Sequence, residues 1–368
     1  LVATLERSAV LAPPETMLAL PMARLAVRTT HAGSMHGRAQ PRLAGPVRSS
    51  VVPGLSEVAD RYDAVLLDQF GVLHDGKRSI AGAEDCFQRL AEAGKKLIVL
   101  SNTSRRRDFA VKRLPRLGFD PHALLGFVCS GEQAHAAMRE SWRGRRVLWI
   151  SWDDDFQAWQ SDYLDGLELT LASAADADFV LCHGSMVLRD GSAHPAQTGL
   201  LQMGADGEAH SPAQPVPSDA LLGALRESAT RGLPMLCANP DLQVTLPNGE
   251  RGHMPGLIAR LYEEQGGAVT YYGKPHGPAF AACLELLGPE VDPSRVLMVG
   301  DSIEHDVAGA NAAGIHSLFV AGGIHAAEVG LGSEGDSEDA GGLRADALER
   351  TFETYGANPT YSARAFTW

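Results

Sequence analysis

A chain of 368 residues, 45% hydrophobic and 21% charged, is long enough for two domains with separate cores and has an ordinary globular composition. A formal net charge of -13 argues against nucleic acid as a partner, because phosphate backbones select basic faces. No uninterrupted apolar stretch approaches the roughly 20 residues that span a bilayer, so a membrane is not an expected partner either.

The first fifty residues stand apart. They hold six arginines (Arg7, Arg24, Arg28, Arg38, Arg42 and Arg48), no lysine, and only Glu6 and Glu15 as acids. That composition is the pattern of an organelle transit segment, which would address the protein to a chloroplast or mitochondrion. A disordered leader on a cytoplasmic protein is the alternative, and residues 1–50 are set aside from the fold on either reading.

From Tyr62 onward, short apolar runs alternate with helical patterns. "DAVLLD" reads as a strand and "AEDCFQRLAEAG" as a helix stopped by Gly94. "KLIVLSN" is the next strand, followed by a helical "RRRDFAVKRLPRLG" that Pro115 should disturb near its end. "GFVCSG" reads as a third strand. Late in the chain, "SRVLMVGD" and "IHSLFVAGG" are again buried strands, separated by the helix "EHDVAGANAAG". Such alternation predicts a parallel sheet covered by helices on both faces. Residues 132–266 have another texture, tryptophan-rich at first and then rich in glycine, proline and histidine. They read as an inserted α/β domain with strands such as "RRVLWI" and "DFVLCHG". The core is therefore expected in two parts, 51–131 and 267–325. Residues 326–368 supply an acidic loop, a helix and a short apolar end. The five cysteines are scattered and form no C-x-x-C pair, so buried reduced thiols are expected.

Four short stretches carry chemistry together. Asp68 ends the first strand, where an open α/β sheet places its ligand crevice, although an aspartate there also serves as a turn cap. Ser101 and Asn102 end the second strand; their hydroxyl and amide suit phosphate oxygens, or cap the following helix. Lys274, in "YYGKPHGPAF", is fixed between Gly273 and Pro275 and could neutralise both a carboxylate and a phosphate. Asp301 and Asp306, in "VGDSIEHDVAGA", supply carboxylates suited to Mg²⁺, while Asp306 also fits the N-terminal turn of a helix. In the insert, His183, Asn239 and Asp241 follow apolar runs and are candidates to face the site from above.

In this order the stretches resemble the haloacid dehalogenase (HAD) superfamily, specifically subfamily IIA, which carries a large α/β cap between its second and third motifs. The segments "ANPDLQV" and "PGLIARLYEEQGGAVTYYGKP" resemble that subfamily too, and "DQFGVLHDG" resembles one branch with an aromatic residue in place of the second aspartate. The resemblance implies a Rossmann-like parallel-sheet core with an inserted cap. It implies that Asp68 attacks phosphorus and becomes an aspartyl phosphate, that Ser101 binds the phosphoryl oxygens, and that Lys274 restrains the nucleophile. Mg²⁺ would be held by Asp68, Asp301 and the main-chain carbonyl of Phe70, to which the residue pattern itself adds Asp306. The missing piece is the carboxylate at position 70, which would protonate the leaving group and activate water. General acid–base help is typically worth about 10²–10⁴-fold. The nearest candidates to replace it are His74 and Asp75, just downstream in the same turn; His74 titrates in the suitable range, and packing or a substrate contact is its other reading. The implied function is a Mg²⁺-dependent phosphatase of a small phosphorylated metabolite with impaired acid–base catalysis. The alternative is a non-catalytic protein of the same fold that binds a phosphorylated ligand or a protein partner. Oligomeric state is not legible in the sequence.

Overall fold

The computed structural model describes residues 49–153, 163–204, 209–246, 249–331 and 342–368. The candidate transit segment, up to residue 48, and most of the acidic loop lie outside the described residues. The core is a seven-stranded sheet ordered Ser50–Val51, Tyr361–Ala363, His316–Val320, Val296–Gly300, Ala64–Leu67, Lys96–Ser101, Leu124–Cys129. Every neighbouring pair is parallel. This is the Rossmann-like arrangement expected from the alternating pattern.

The central strands are apolar without alternation because helices cover both faces. Leu66, Ile98, Leu100 and Met298 pack on one side with Phe280 and Cys283, while Val65, Leu97, Val99 and Leu297 pack on the other with Cys86, Phe87 and Leu90. Burying each such side chain stabilises by roughly 1.5–3 kcal/mol. Helix Ala83–Glu92 presents Ala83, Cys86, Phe87 and Leu90 inward at the spacing of one helical face, and it ends just before Gly94. Pro115 does more than disturb the next helix. Only Arg107–Val111 is α-helical, and Leu114–Leu117 is a 3-10 turn with the proline near its start. All five cysteines are buried and free.

The second sheet also has seven strands. Its main path runs Ala268–Tyr271, Pro234–Cys237, Phe179–Cys182, Arg146–Ser151, Val187–Arg189, Ala196–Gln197, with Thr170–Leu171 beside Arg146–Ser151. The boundary expected at residue 266 therefore needs correction. Ala268–Tyr271 pairs in parallel register with Pro234–Cys237, so the inserted sheet ends one strand later. The C-terminal residues join the core. Tyr361–Ala363 is a strand of the core sheet, and helix Ala345–Tyr355 packs Leu348 and Phe352 against Ile303, Val307 and Phe319. No helix among the described residues is long and apolar enough to cross a membrane.

Candidate active site

The parallel strands Ala64–Leu67 and Val296–Gly300 lie side by side, so the residues that follow them, Asp68 and Asp301, emerge at the same sheet edge. Asp68 continues the ladder by one bond, its N–H donating to the Val299 carbonyl at 2.9 Å. Lys274, almost wholly buried, brings its ammonium 2.7 Å from Asp68 Oδ1 and 2.7 Å from Asp306 Oδ1. Asp306 Oδ2 accepts the Ser302 N–H at 2.9 Å. The backbone between them, Ile303–Val307, forms a π-helical turn that swings Asp306 back toward the strand end. Asp301 Oδ2 accepts the Ile324 N–H at 2.8 Å.

Oxygens of Asp68, Asp301 and Asp306 all lie within 4.8 Å of one another. Three buried carboxylates against one ammonium leave excess negative charge. Burial pushes the Asp68 carboxyl up to about 6, Lys274 draws it down, and Asp306 pushes it up. Burial, then Asp68 and Asp306, hold Asp301 well above the usual carboxylate range. Burial works against the charge of Lys274, but Asp306 and Asp68 outweigh it and raise its pKa. A hard divalent cation with oxygen ligands fits this donor set, because it offsets the charge that one lysine leaves over. Asp306 is the least available ligand of the three, since each of its oxygens already accepts an N–H.

Asn102 sits beside the lysine rather than open to a phosphate. Its Oδ1 accepts the Lys274 N–H at 2.7 Å, and its Nδ2 donates to the Lys274 carbonyl at 3.0 Å and to Asp241 Oδ1 at 2.7 Å. The amide is thus fully engaged, and the expected phosphate contact would have to displace Asp241. Ser101 is buried at the strand end, where its Oγ accepts the Thr103 N–H at 3.3 Å.

Phe70 and His74 belong to the turn after Asp68. Gln69 O accepts from the N–H groups of Leu73 and His74, which folds the turn back on itself. The Phe70 ring meets His74 edge to face at 6.0 Å between centroids. His74 Nδ1 accepts the Gly76 N–H at 3.1 Å. Burial, reinforced by Arg113, pushes the imidazole down to about 4. A ring so placed is neutral at pH 7 and spends one nitrogen on the backbone, so the packing reading of His74 is the better supported one.

Two of the three candidates in the insert are corrected. His183 is fully buried, stacked on Tyr163 at 3.9 Å, and its Nε2 lies 3.1 Å from the Ser104 carbonyl. It ties the insert to the core instead of facing a substrate. Asn239 is 3% exposed, and its Oδ1 accepts the Asp241 N–H at 2.9 Å, so it shapes the turn that presents Asp241. Asp241 alone reaches the site, with His305 Nδ1 3.6 Å from the oxygen that Asn102 holds.

Sequence reasoning missed the supports of Asp301. Gly71 has φ +83°, and a Cβ there would lie 2.0 Å from Asp301 Oδ2; a Cβ on Gly323 would lie 2.1 Å from the same oxygen. The available signal was glycine soon after a strand end, in "DQFG" and "VAGG". His305, which bonds Ser302 Oγ at 2.8 Å, carried no signal distinct from helix capping.

Residues 65–161 match the haloacid dehalogenase-like hydrolase family, and residues 271–338 match a family described as HAD-hydrolase-like. Chronophin from Mus musculus is 29% identical over 288 residues, covering 74% of this chain and 86% of that protein. Glycerol-3-phosphate phosphatase from Gallus gallus is 27% identical over 300 residues, covering 79% of this chain and 88% of that protein. The crystal structure of a haloacid dehalogenase-like hydrolase from Brucella suis 1330 superposes with a TM-score of 0.63 at 28% identity, covering 86% of this chain and all of that one.

Proposed function

From the premise that the chain belongs to subfamily IIA of the haloacid dehalogenase superfamily, we propose that it is a phosphatase of a small phosphorylated metabolite. The observation that carries this reading is the Asp68–Lys274–Asp306 chain at 2.7 Å per contact, beside a third buried carboxylate. Asp68 attacks phosphorus and becomes an aspartyl phosphate. Lys274 holds the attacking carboxylate in place and draws its pKa down toward the ionised form. Asp68, Asp301 and the Phe70 carbonyl would hold Mg²⁺, with Asp306 acting mainly through Lys274. Bound there, the cation offsets charge gathering on the phosphoryl oxygens. Ser101, at the end of the strand beside the one that leads into Asp68, would bind those oxygens. The insert would close over the bound substrate and exclude water from the phosphoenzyme.

The experiment is turnover of p-nitrophenyl phosphate with Mg²⁺, beside Asp68→Asn. The expected result is a phosphoenzyme that forms in the wild type and is absent in the variant. Phe70 is the one observation in favour of a non-catalytic binding protein. Binding of phosphate mimics with neither turnover nor phosphoenzyme would establish that second reading.

A further inference from the structure

Phe70 leaves the proposed reaction without a proton carrier two residues after its nucleophile, so the proton has to move through another group. Asp306 has both oxygens engaged by Lys274 and Ser302. His74 gives one nitrogen to Gly76 and is held neutral by burial. Asp241 is different. Its Oδ1 is fixed by the Asn102 amide, and its Oδ2 accepts no hydrogen bond from a described residue. Its side chain is 28% exposed, so the carboxyl is open to an incoming molecule. The same Asn102 amide grips the backbone of Lys274, whose ammonium contacts Asp68, so a single side chain fixes this carboxyl relative to the nucleophile's partner. The charged and titratable groups facing Asp241 are His305, Lys274 and Asp68.

We propose that Asp241, supplied by the insert, carries the protons that position 70 cannot. The inference rests on the phosphatase reading above. In the first step an Asp68 oxygen bonds to phosphorus, the bond from phosphorus to the substrate oxygen breaks, and that oxygen takes the proton of the Asp241 carboxyl and leaves as an alcohol. In the second, water bonds to phosphorus and gives a proton to the Asp241 carboxylate. The bond between phosphorus and Asp68 breaks, releasing phosphate and restoring both aspartates. Burial holds the Asp241 carboxyl above its ordinary range, which enlarges the protonated share that the first step uses. A carboxyl borrowed from another domain serves less well than one built beside the nucleophile, so acid–base catalysis is impaired rather than lost.

The test is Asp241→Asn in the full chain with Mg²⁺; the substitution keeps an oxygen that can accept from Asn102. An alkyl phosphate should be turned over slower by about 10²-fold. First-turnover release of p-nitrophenolate, which leaves without a proton, should change by less than roughly threefold, and phosphoenzyme should accumulate. Adding Phe70→Asp to the same chain should restore alkyl-phosphate turnover. Unchanged alkyl turnover, or equal loss in the first turnover of both substrates, overturns the proposal. If Asp241→Asn does not fold, the wild type decides with a series of phosphates of rising leaving-group pKa. A shallow decline in rate supports an internal acid, and a steep one overturns it. Wild type that forms no phosphoenzyme even from p-nitrophenyl phosphate overturns the phosphatase reading and this inference with it. Phosphoenzyme in the wild type with an indifferent Asp241→Asn overturns this inference alone.

Discussion

Gly71 stands so close to Asp301 that a Cβ on it would come within 2.0 Å of the carboxylate oxygen. Its φ of +83° also disfavours any side chain. Gly71→Ala is therefore expected to destabilise the fold by more than about 1 kcal/mol and to displace Asp301. Urea denaturation gives the first quantity. Thermal melts with and without Mg²⁺ give the second, as loss of the metal-dependent rise.

Mg²⁺ and beryllium fluoride should raise the melting temperature of the wild type together, because on the proposed mechanism both would bind the folded state at Asp68. Asp301→Ala should lose the metal-dependent part. Equal shifts in the two proteins would place the cation elsewhere.

Lys274→Met would leave Asp68 and Asp306 buried without their shared cation. Breaking a buried pair in this way costs about 3–5 kcal/mol. Metal-free denaturation of the variant and wild type at pH 8 measures it, and an unchanged midpoint would contradict the contacts.

Phe70→Asp should raise alkyl-phosphate turnover above wild type by a fraction of the roughly 10²–10⁴-fold that acid–base catalysis contributes. The gain is limited because the Phe70 ring packs on His74. Steady-state rates on glycerol phosphate, with melting curves alongside, separate the two effects.

His183 makes a pH prediction. Burial pushes its imidazole down to about 3, below the 6.5 it has when the chain unfolds. The fold therefore holds the neutral ring, and this contribution is complete above pH 6.5 and lost as pH falls toward about 3. Between pH 7 and 5.5 the loss is roughly 1 kcal/mol. Stability of His183→Asn should fall less than that of wild type over the same interval, and parallel curves would refute the assignment.

The core strands were legible because burial on both faces leaves an uninterrupted apolar run, as in "VLL" and "LIVL". The edges were not. Ser50–Val51 is exposed and two residues long, and it exists as a strand only because Tyr361–Ala363 lies beside it. Asp68, Lys274, Asp301 and Asp306 were visible as polar residues ending apolar runs. Residues after insert strands have the same local pattern whether they face a substrate or the other domain. His183 and Asp241 differ through Tyr163, Ser104 and Asn102, each distant in sequence.

The strand order has a consequence for how the chain is made. Ala64–Leu67 pairs on one side with Val296–Gly300, and Ser50–Val51 pairs with Tyr361–Ala363. On the ribosome, the strand that leads into Asp68 must wait for the entire insert to be translated before its partner Val296–Gly300 emerges. Ser50–Val51, among the first described residues to appear, is docked by nearly the last. The inserted sheet, complete by Tyr271, can organise earlier. Newly made protein can therefore hold a formed inserted sheet while the core sheet still waits for Val296–Gly300, His316–Val320 and Tyr361–Ala363.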